Sequence, residues 1–108
     1  MDREIMKGSI DILLLVIISK KEMYGYEMVK ELKALSNDLY QMGEGTLYPA
    51  LKRLERKSLI TSFWVDSENG KRRKYYRITD EGRRECDRKV QDWQSVNQLI
   101  LRSMEGLT

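Results

Sequence analysis

Basic side chains are concentrated in one short stretch of the sequence. Five cations fall within seven residues, directly after an Asn69-Gly70 dipeptide: Lys71, Arg72, Arg73, Lys74 and Arg77. Such a cluster can neutralise nucleic-acid phosphates, whatever the base sequence. We expect Lys71, Arg72 and Arg73, nearest the dipeptide, to contact DNA, and Lys74 and Arg77 to have structural roles. Protection of an exposed strand edge is the alternative explanation for these charges.

A second group of polar side chains lies on one side of a predicted helix over residues 43–57. The apolar stripe of this helix consists of Leu47, Ala50, Leu51 and Leu54. At about 100° per residue, the outward set is Thr46, Tyr48, Lys52, Arg53 and Arg56. Side chains of these types read base edges in the major groove and hold phosphates. We therefore expect Thr46, Tyr48, Lys52 and Arg53 to bind DNA; an ordinary solvated helix face is the alternative.

Two further helices and a β-hairpin must position these residues. Apolar spacing predicts helices over residues 8–19 and 24–36 ahead of the helix at 43–57, in which Pro49 favours a kinked first turn or a later start. Residues 59–65 and 73–78 are predicted strands, and the Asn-Gly dipeptide between them is a strong hairpin signal. The sequence thus predicts a mainly α fold with a small β-hairpin, a winged helix-turn-helix DNA-binding domain over residues 1–78.

The pattern of residues 79–108 predicts one long helix, capped by Thr79. Residues along one side of this helix recur at alternating spacings of four and three: Cys86, Val90, Trp93, Asn97, Ile100 and Met104. This is a heptad seam, which Val96 and Leu99 widen. Because one small domain offers no partner for such a seam, we expect a C-terminal dimerisation helix. The expected interface residues are Val90, Trp93, Val96, Asn97, Ile100 and Met104.

The middle of the seam contains a candidate ligand site. Two copies of Trp93 would approach each other across a dimer axis and could enclose a small aromatic effector, with Asn97 one turn away. Simple filling of the interface by tryptophan is favoured over such a slot, and Asn97 could fix the register instead of binding a ligand. For Cys86, a plain interface thiol is favoured over a redox switch.

Composition excludes several classes of protein. The 108 residues carry a net charge of +3, one cysteine and no histidine, so we expect no metal site, no cofactor and no catalytic histidine. No glycine-rich phosphate loop is present, and an enzyme is the least supported class. The longest apolar run, residues 12–18, is too short to span a membrane. A lone cysteine indicates a cytoplasmic protein.

Three motifs together resemble the PadR family of transcription regulators: YGYE at 24–27, GTLYPALKRLE at 45–55, and GKRRKYYRIT at 70–79 followed by Gly82. The resemblance implies repressors that bind palindromic operators as dimers, with the third helix in the major groove and the wing beside it. It implies that the C-terminal helix crosses the partner's first and last helices. Thr46, Tyr48, Lys52 and the wing cations match DNA-contacting positions, and Tyr24 or Tyr26 would add a phosphate contact.

The resemblance also bears on the ligand site. Trp93 resembles a tryptophan that multidrug-responsive relatives place in a dimer pore, although Asn97 is uncharged. We therefore expect a dimeric repressor of a palindromic operator, released by a small aromatic ligand. Two alternatives remain: a small-molecule binding protein that acts through the Trp93 pore without sequence-specific DNA binding, and a protein-interaction module built on the winged helix.

Overall fold

A computed structural model describes residues 1–107 as five helices and three strands. Thr108, the last residue of the predicted dimerisation segment, lies outside the described residues. In chain order the elements are α1 (Arg3–Lys7), α2 (Ile10–Lys20), β1 (Met23–Tyr24), α3 (Gly25–Leu35), α4 (Glu44–Arg56), β2 (Ile60–Asp66), β3 (Arg72–Ile78) and α5 (Asp80–Ser103).

The predicted fold class is confirmed: the chain is mostly helical, with a small antiparallel sheet and a long C-terminal helix. The sequence did not predict α1 or β1. Helix α1 is a five-residue helix capped by Asp2, whose carboxylate accepts hydrogen bonds from the backbone of Glu4 and Ile5. Strand β1 has two residues and pairs with β3, giving the strand order β1-β3-β2. Both elements are too short to produce a recognisable apolar period.

Helix α2 is the centre of the core. Its nearly continuous apolar run is explained by packing against α3, α4, α5 and β3. Leu14 and Leu15 are completely buried, and Ile17 and Ile18 almost so. A helix surrounded in this way needs apolar residues on most sides. Within residues 1–107, no helix is long and apolar enough to cross a lipid bilayer.

Helix α4 starts at Glu44 and continues through Pro49. This start is one residue after the predicted one, as Pro49 had suggested, but the proline still lies inside the helix. Proline has no N–H, so the Gly45 carbonyl loses the donor that would normally come four residues later. Gly45 and Pro49 are both exposed. Water can therefore satisfy that carbonyl, and the helix tolerates proline in its second turn.

The start of α5 is fixed to the base of the β2–β3 hairpin. The backbone N–H of Gly82 donates to the Thr79 hydroxyl at 2.9 Å, as expected for a cap, and that hydroxyl lies 2.7 Å from the Ser58 carbonyl oxygen. A Cβ at Gly82 would lie 2.0 Å from the carbonyl oxygen of Leu59. Only glycine permits this approach between helix and hairpin.

Cys86 lies one turn further along α5 and belongs to the core of the monomer. It is 6% exposed, and burial raises the pKa of its thiol, with Asp87 adding to the effect. The expectation of an interface thiol is therefore wrong. At the N-terminal end of α5, the residues of the heptad seam lie in the core because this part of the helix packs against α2.

Gly82→Ala should destabilise the protein by about 3 kcal/mol, because the new methyl group meets backbone that cannot move aside. Gly45→Ala is the matched control. Its Cβ meets open space inside a helix, so this variant should be stabilised by about 0.5–1 kcal/mol. Urea denaturation at one fixed protein concentration measures both changes. Equal stabilities for the two variants would contradict the close approach at Gly82.

Candidate nucleic-acid interface

One side of α4 is exposed along its whole length. The apolar stripe is buried as predicted, and the outward set is solvent-accessible: Thr46, Tyr48, Lys52, Arg53 and Arg56. Hydroxyl, phenol, ammonium and guanidinium groups thus share one helical surface. Such a surface has the donors and the positive charge required to bind phosphates and base edges.

Arg53 also makes an intramolecular contact. Its Nη2 lies 3.1 Å from Oδ1 of Asp11 on α2, and the arginine side chain remains 50% exposed. This ion pair, which the sequence analysis did not predict, ties α4 to the central helix. Exposed pairs of this kind contribute at most about 1 kcal/mol, so a phosphate can compete for the guanidinium.

The position of Tyr48 depends on Gly25, the first residue of α3. A Cβ at Gly25 would lie 2.9 Å from the Tyr48 hydroxyl oxygen and 3.2 Å from its ring carbon Cε1. The phenol of Tyr48 therefore lies against the start of α3 in the space that a side chain would fill. Tyr48 is also close enough to Tyr76 of β3 to influence its titration. Burial raises the pKa of Tyr76, and the nearby Glu55 and Tyr48 raise it further.

The β2–β3 hairpin forms the wing. Its strands pair in antiparallel register from Ile60↔Ile78 to Asp66↔Arg72. The turn is longer than an Asn-Gly hairpin requires, with Ser67 N–H donating to the Lys71 carbonyl at 2.8 Å. Gly70 has a φ of +79°, a conformation that glycine adopts without strain. Lys71 is exposed beside it.

Side chains alternate between two faces of the wing. Ser62 donates a hydrogen bond of 2.6 Å to Glu55 of α4, and this identifies the side of the sheet that packs against the helix. We call that side the α4 face; by the register it carries Ile60, Ser62, Trp64, Asp66, Arg72, Lys74, Tyr76 and Ile78. The opposite side is the outer face; it carries Thr61, Phe63, Val65, Arg73, Tyr75 and Arg77.

The wing cations divide between these faces. On the α4 face, the guanidinium of Arg72 lies 5.0 Å from the Trp64 ring centroid and its Nε lies 3.3 Å from Asp66 Oδ1. On the outer face, the guanidinium of Arg73 lies 4.6 Å from the Tyr24 ring centroid. Arg77 is paired with Glu22 on the outer face, which agrees with its predicted structural role.

Trp64 is the residue of this surface that the sequence analysis missed. Its side chain is 56% exposed and lies in the outer half of β2, where Val65 and Asp66 are exposed as well. The sequence did contain a signal for this residue. Trp64 is four residues from Ile60 in the predicted strand, so the two side chains share a face, and the predicted hairpin pairs this strand with the basic one. Its exposure was not predictable, since it depends on how far the wing extends past α4.

The second half of α5 leaves its apolar side uncovered in the monomer. Trp93 is 51% exposed and Ile100 55% exposed, and Asn97 is exposed beside them. Val90 is half-buried against the core. The remaining large apolar side chains of this segment are also exposed: Val96, Leu99, Leu101, Met104 and Leu107.

An apolar groove lies next to this part of α5. It has a volume of about 530 Å³ and is lined by residues of α1, α2 and the end of α3, with Val90 and Trp93 at its α5 edge. Asn97, the other predicted ligand residue, does not line it. Within residues 1–107, no cluster of histidine, cysteine, aspartate and glutamate could hold a metal ion.

A polar helix face flanked by a basic wing, on a core of three helices, defines a winged-helix DNA-binding protein. The model of the transcriptional regulator PadR-like family matches residues 14–88. The chain belongs to this family of transcriptional regulators, which confirms the resemblance seen in the sequence motifs.

Proteins similar to this chain agree with that assignment. A transcriptional regulator from Clostridium thermocellum has a TM-score of 0.87 and 32% identity, covering 94% of this chain and 96% of its own. A PadR-like transcriptional regulator from Bacillus cereus has a TM-score of 0.82 and 33% identity, covering 95% and 98%. An uncharacterized protein from Lysinibacillus sphaericus is 38% identical over 96% of this chain and 95% of its own length.

Gly25→Ala should displace the exposed phenol of Tyr48 and destabilise the protein by about 1 kcal/mol, at the low end for overpacking because the phenol can move into solvent. In a Tyr48→Ala background most of this loss should disappear, since, of the atoms nearest the added methyl group, only Leu47 Cδ2, at 3.3 Å, then remains. Chemical denaturation of the four proteins of this double-mutant cycle measures the coupling. Additive effects of the two substitutions would show that Gly25 does not set the position of Tyr48.

Proposed function

We propose that the protein is a homodimeric transcriptional repressor that binds a palindromic operator with the α4 helices of both copies. The observation that carries the proposal is the uncovered apolar side of α5 on a DNA-binding domain. An exposed apolar surface of this extent marks an interaction site. A second copy of the chain would cover this surface, and its packing against α5 would also explain the heptad spacing of the side chains.

The apolar groove supports this arrangement. It faces the same region as the uncovered half of α5, and its walls come from α1 and α2. If the partner's α5 lay in the groove, Trp93, Ile100 and Met104 would be buried together with Val96 and the half-buried Val90. Asn97 would then be the polar position that fixes the register. Of the predicted interface residues, Val90 and Trp93 line the groove, and the others continue along α5 beyond it.

A two-fold dimer presents its two recognition helices to half-sites about one helical turn of DNA apart. Thr46, Tyr48 and Lys52 would face the major groove from α4, and Arg53 would exchange its Asp11 contact for a phosphate. Lys71 and Arg72 would extend the contact along the backbone from the wing. The predicted Arg73 contact is less favoured, since this side chain lies on the outer face.

An effector would act at the dimer interface. The groove volume of about 530 Å³ falls in the usual range for small-molecule sites, and Trp93 at its edge provides a flat apolar surface. A small aromatic ligand seated there would release the operator only if it bound the two states with different affinities. The alternative function, ligand binding without sequence-specific DNA binding, requires the same groove but not the exposed side of α4.

Lys52→Ala should weaken operator binding by roughly tenfold to a hundredfold and reduce the preference for the operator, as loss of a base-edge contact does. Lys33→Ala removes an exposed lysine at the far end of α3 and is the matched control. Duplexes selected from a random pool by the wild-type protein, compared with scrambled duplexes, give the affinities by fluorescence anisotropy at two salt concentrations.

Two outcomes would contradict the DNA-binding proposal. If selection enriched no sequence, the ligand-binding alternative would be favoured. If Lys33→Ala weakened binding as much as Lys52→Ala, total charge rather than the α4 surface would determine affinity.

Ile100→Glu should dissociate the dimer, because it places a carboxylate in an apolar seam. Gln98→Glu adds the same charge on the opposite side of α5 and should leave the dimer intact. Sedimentation equilibrium at micromolar concentration distinguishes the 12.8 kDa monomer from twice that mass. A wild-type protein that sediments as a monomer on its own and on operator DNA would overturn the dimer proposal.

A further inference from the structure

The α4 face of the wing continues from the protein core to the hairpin tip without a break. Ile60, Ile78 and Tyr76 are buried at its base, where the sheet packs against α4. Further out, the same face carries Lys74 and Trp64, which are both exposed and directly opposite each other across the strand pair. The exposed part of this face therefore continues toward the hairpin tip from the place where Ser62 contacts Glu55 of α4.

Trp64 organises the cations on this face. The Nζ of Lys74 lies 6.0 Å from the Trp64 ring centroid and 5.9 Å from that of Tyr76. The guanidinium of Arg72 lies 5.0 Å from the centroid of the same indole. Contact with an aromatic ring restricts a long cationic side chain while leaving its charge accessible. A phosphate then binds a pre-positioned cation, and less side-chain entropy is lost on binding.

The cations of the α4 face are available to an outside partner. Lys74 has no ion-pair partner among residues 1–107. In the described part of the chain Arg72 is paired only with Asp66, whose side chain is 83% exposed, and such a pair exchanges readily for a phosphate.

The cations of the outer face differ from those of the α4 face in position and burial. Arg73 also has no ion-pair partner among residues 1–107, but it is half-buried on the side of the sheet away from α4, and Arg77 is paired with Glu22. Tyr75 packs between Tyr24 and Phe63, with ring centroids 5.4 and 5.9 Å away. Arg73 lies over Tyr24 at one end of this aromatic cluster, and Arg77 lies over Phe63 at the other. Both guanidinium groups thus stabilise the junction of the three strands on the side of the sheet away from α4.

We propose that Trp64, Arg72 and Lys74, together with Lys71 in the turn, form the DNA-contacting surface of the wing and that Arg73 is a structural residue. The proposal rests on the operator binding proposed above and deepens it. Arg72 and Lys74 bind backbone phosphates beside the groove occupied by α4, and the Trp64 indole packs against the adjacent deoxyribose. Trp64 is also the positioning residue for both cations. Lys74 thereby gains the role that the sequence analysis assigned to Arg73.

A matched pair of substitutions tests this division. Lys74→Ala should weaken operator binding about threefold to tenfold and lower the slope of log affinity against log salt concentration by about one. Arg73→Ala, the neighbouring cation on the outer face, should leave affinity within about twofold and lower the thermal midpoint instead. The proposal is overturned if Arg73→Ala weakens binding as much as Lys74→Ala, or if Lys74→Ala has no effect.

Trp64 variants test the positioning role. Trp64→Leu should weaken binding to the extent of Lys74→Ala or more, and Trp64→Phe should restore part of the affinity because phenylalanine retains an aromatic ring. Addition of operator should change the tryptophan fluorescence of the wild-type protein, and most of this change should be absent from Trp64→Phe. Equal affinities for the leucine and phenylalanine variants, or an unchanged fluorescence response in Trp64→Phe, would contradict the role of the indole.

The wild-type protein and Lys52→Ala are measured in the same titrations. If the wild type shows no preference for any duplex, the proposed function fails. If it binds the operator and Lys52→Ala weakens that binding while Lys74→Ala does not, only the wing proposal fails. Circular dichroism melting of each variant establishes that a loss of affinity does not result from unfolding.

Discussion

Burial of α2 is the packing constraint that holds the functional surfaces in place. This helix contacts three other helices and a strand, and its leucine and isoleucine side chains occupy the middle of the core. The buried stripe of α4 faces the same core, so the outward side of α4 is defined by what its inward side must cover. Loss of packing around α2 would therefore disturb the recognition surface even though no residue of α2 needs to touch DNA.

The same helix connects regions of the molecule that have different tasks. Asp11 in its first turn is paired with Arg53 of α4. Other residues of α2 line the apolar groove beside the exposed end of α5. The first turns of α5 are in turn fixed to the base of the wing by the close approach of Gly82 to Leu59. A dimer formed through α5 would thus hold the recognition helix and the wing in one orientation.

In the arrangement that we propose for the wing, one strand of cations serves two purposes. Neighbouring residues of β3 point to opposite faces, so consecutive arginines enter different environments. On the outer face, aromatic rings hold guanidinium groups within the fold. On the α4 face, the exposed indole of Trp64 holds cations near the helix without neutralising them. Charge density along the sequence is therefore a poor guide to which individual cation meets a partner.

The sequence by itself determined the order of the main elements, the buried stripe of α4, the hairpin and the family. These follow from local rules, because apolar period, turn residues and motif spacing act over a few residues. It also placed Trp93 and Ile100 on one side of a long helix, for the same reason.

The tertiary structure determined several features that the periodicity of the sequence does not predict. The two-residue strand β1 forms because it pairs with the edge of β3. Cys86 is a core residue because this part of α5 packs against α2. Pro49 is tolerated inside α4 because the carbonyl it leaves unpaired is open to water. The pairing of Arg53 with Asp11 and the exposure of Trp64 depend on contacts between residues distant in the chain. Such contacts are set by how the elements pack, and no local pattern encodes them.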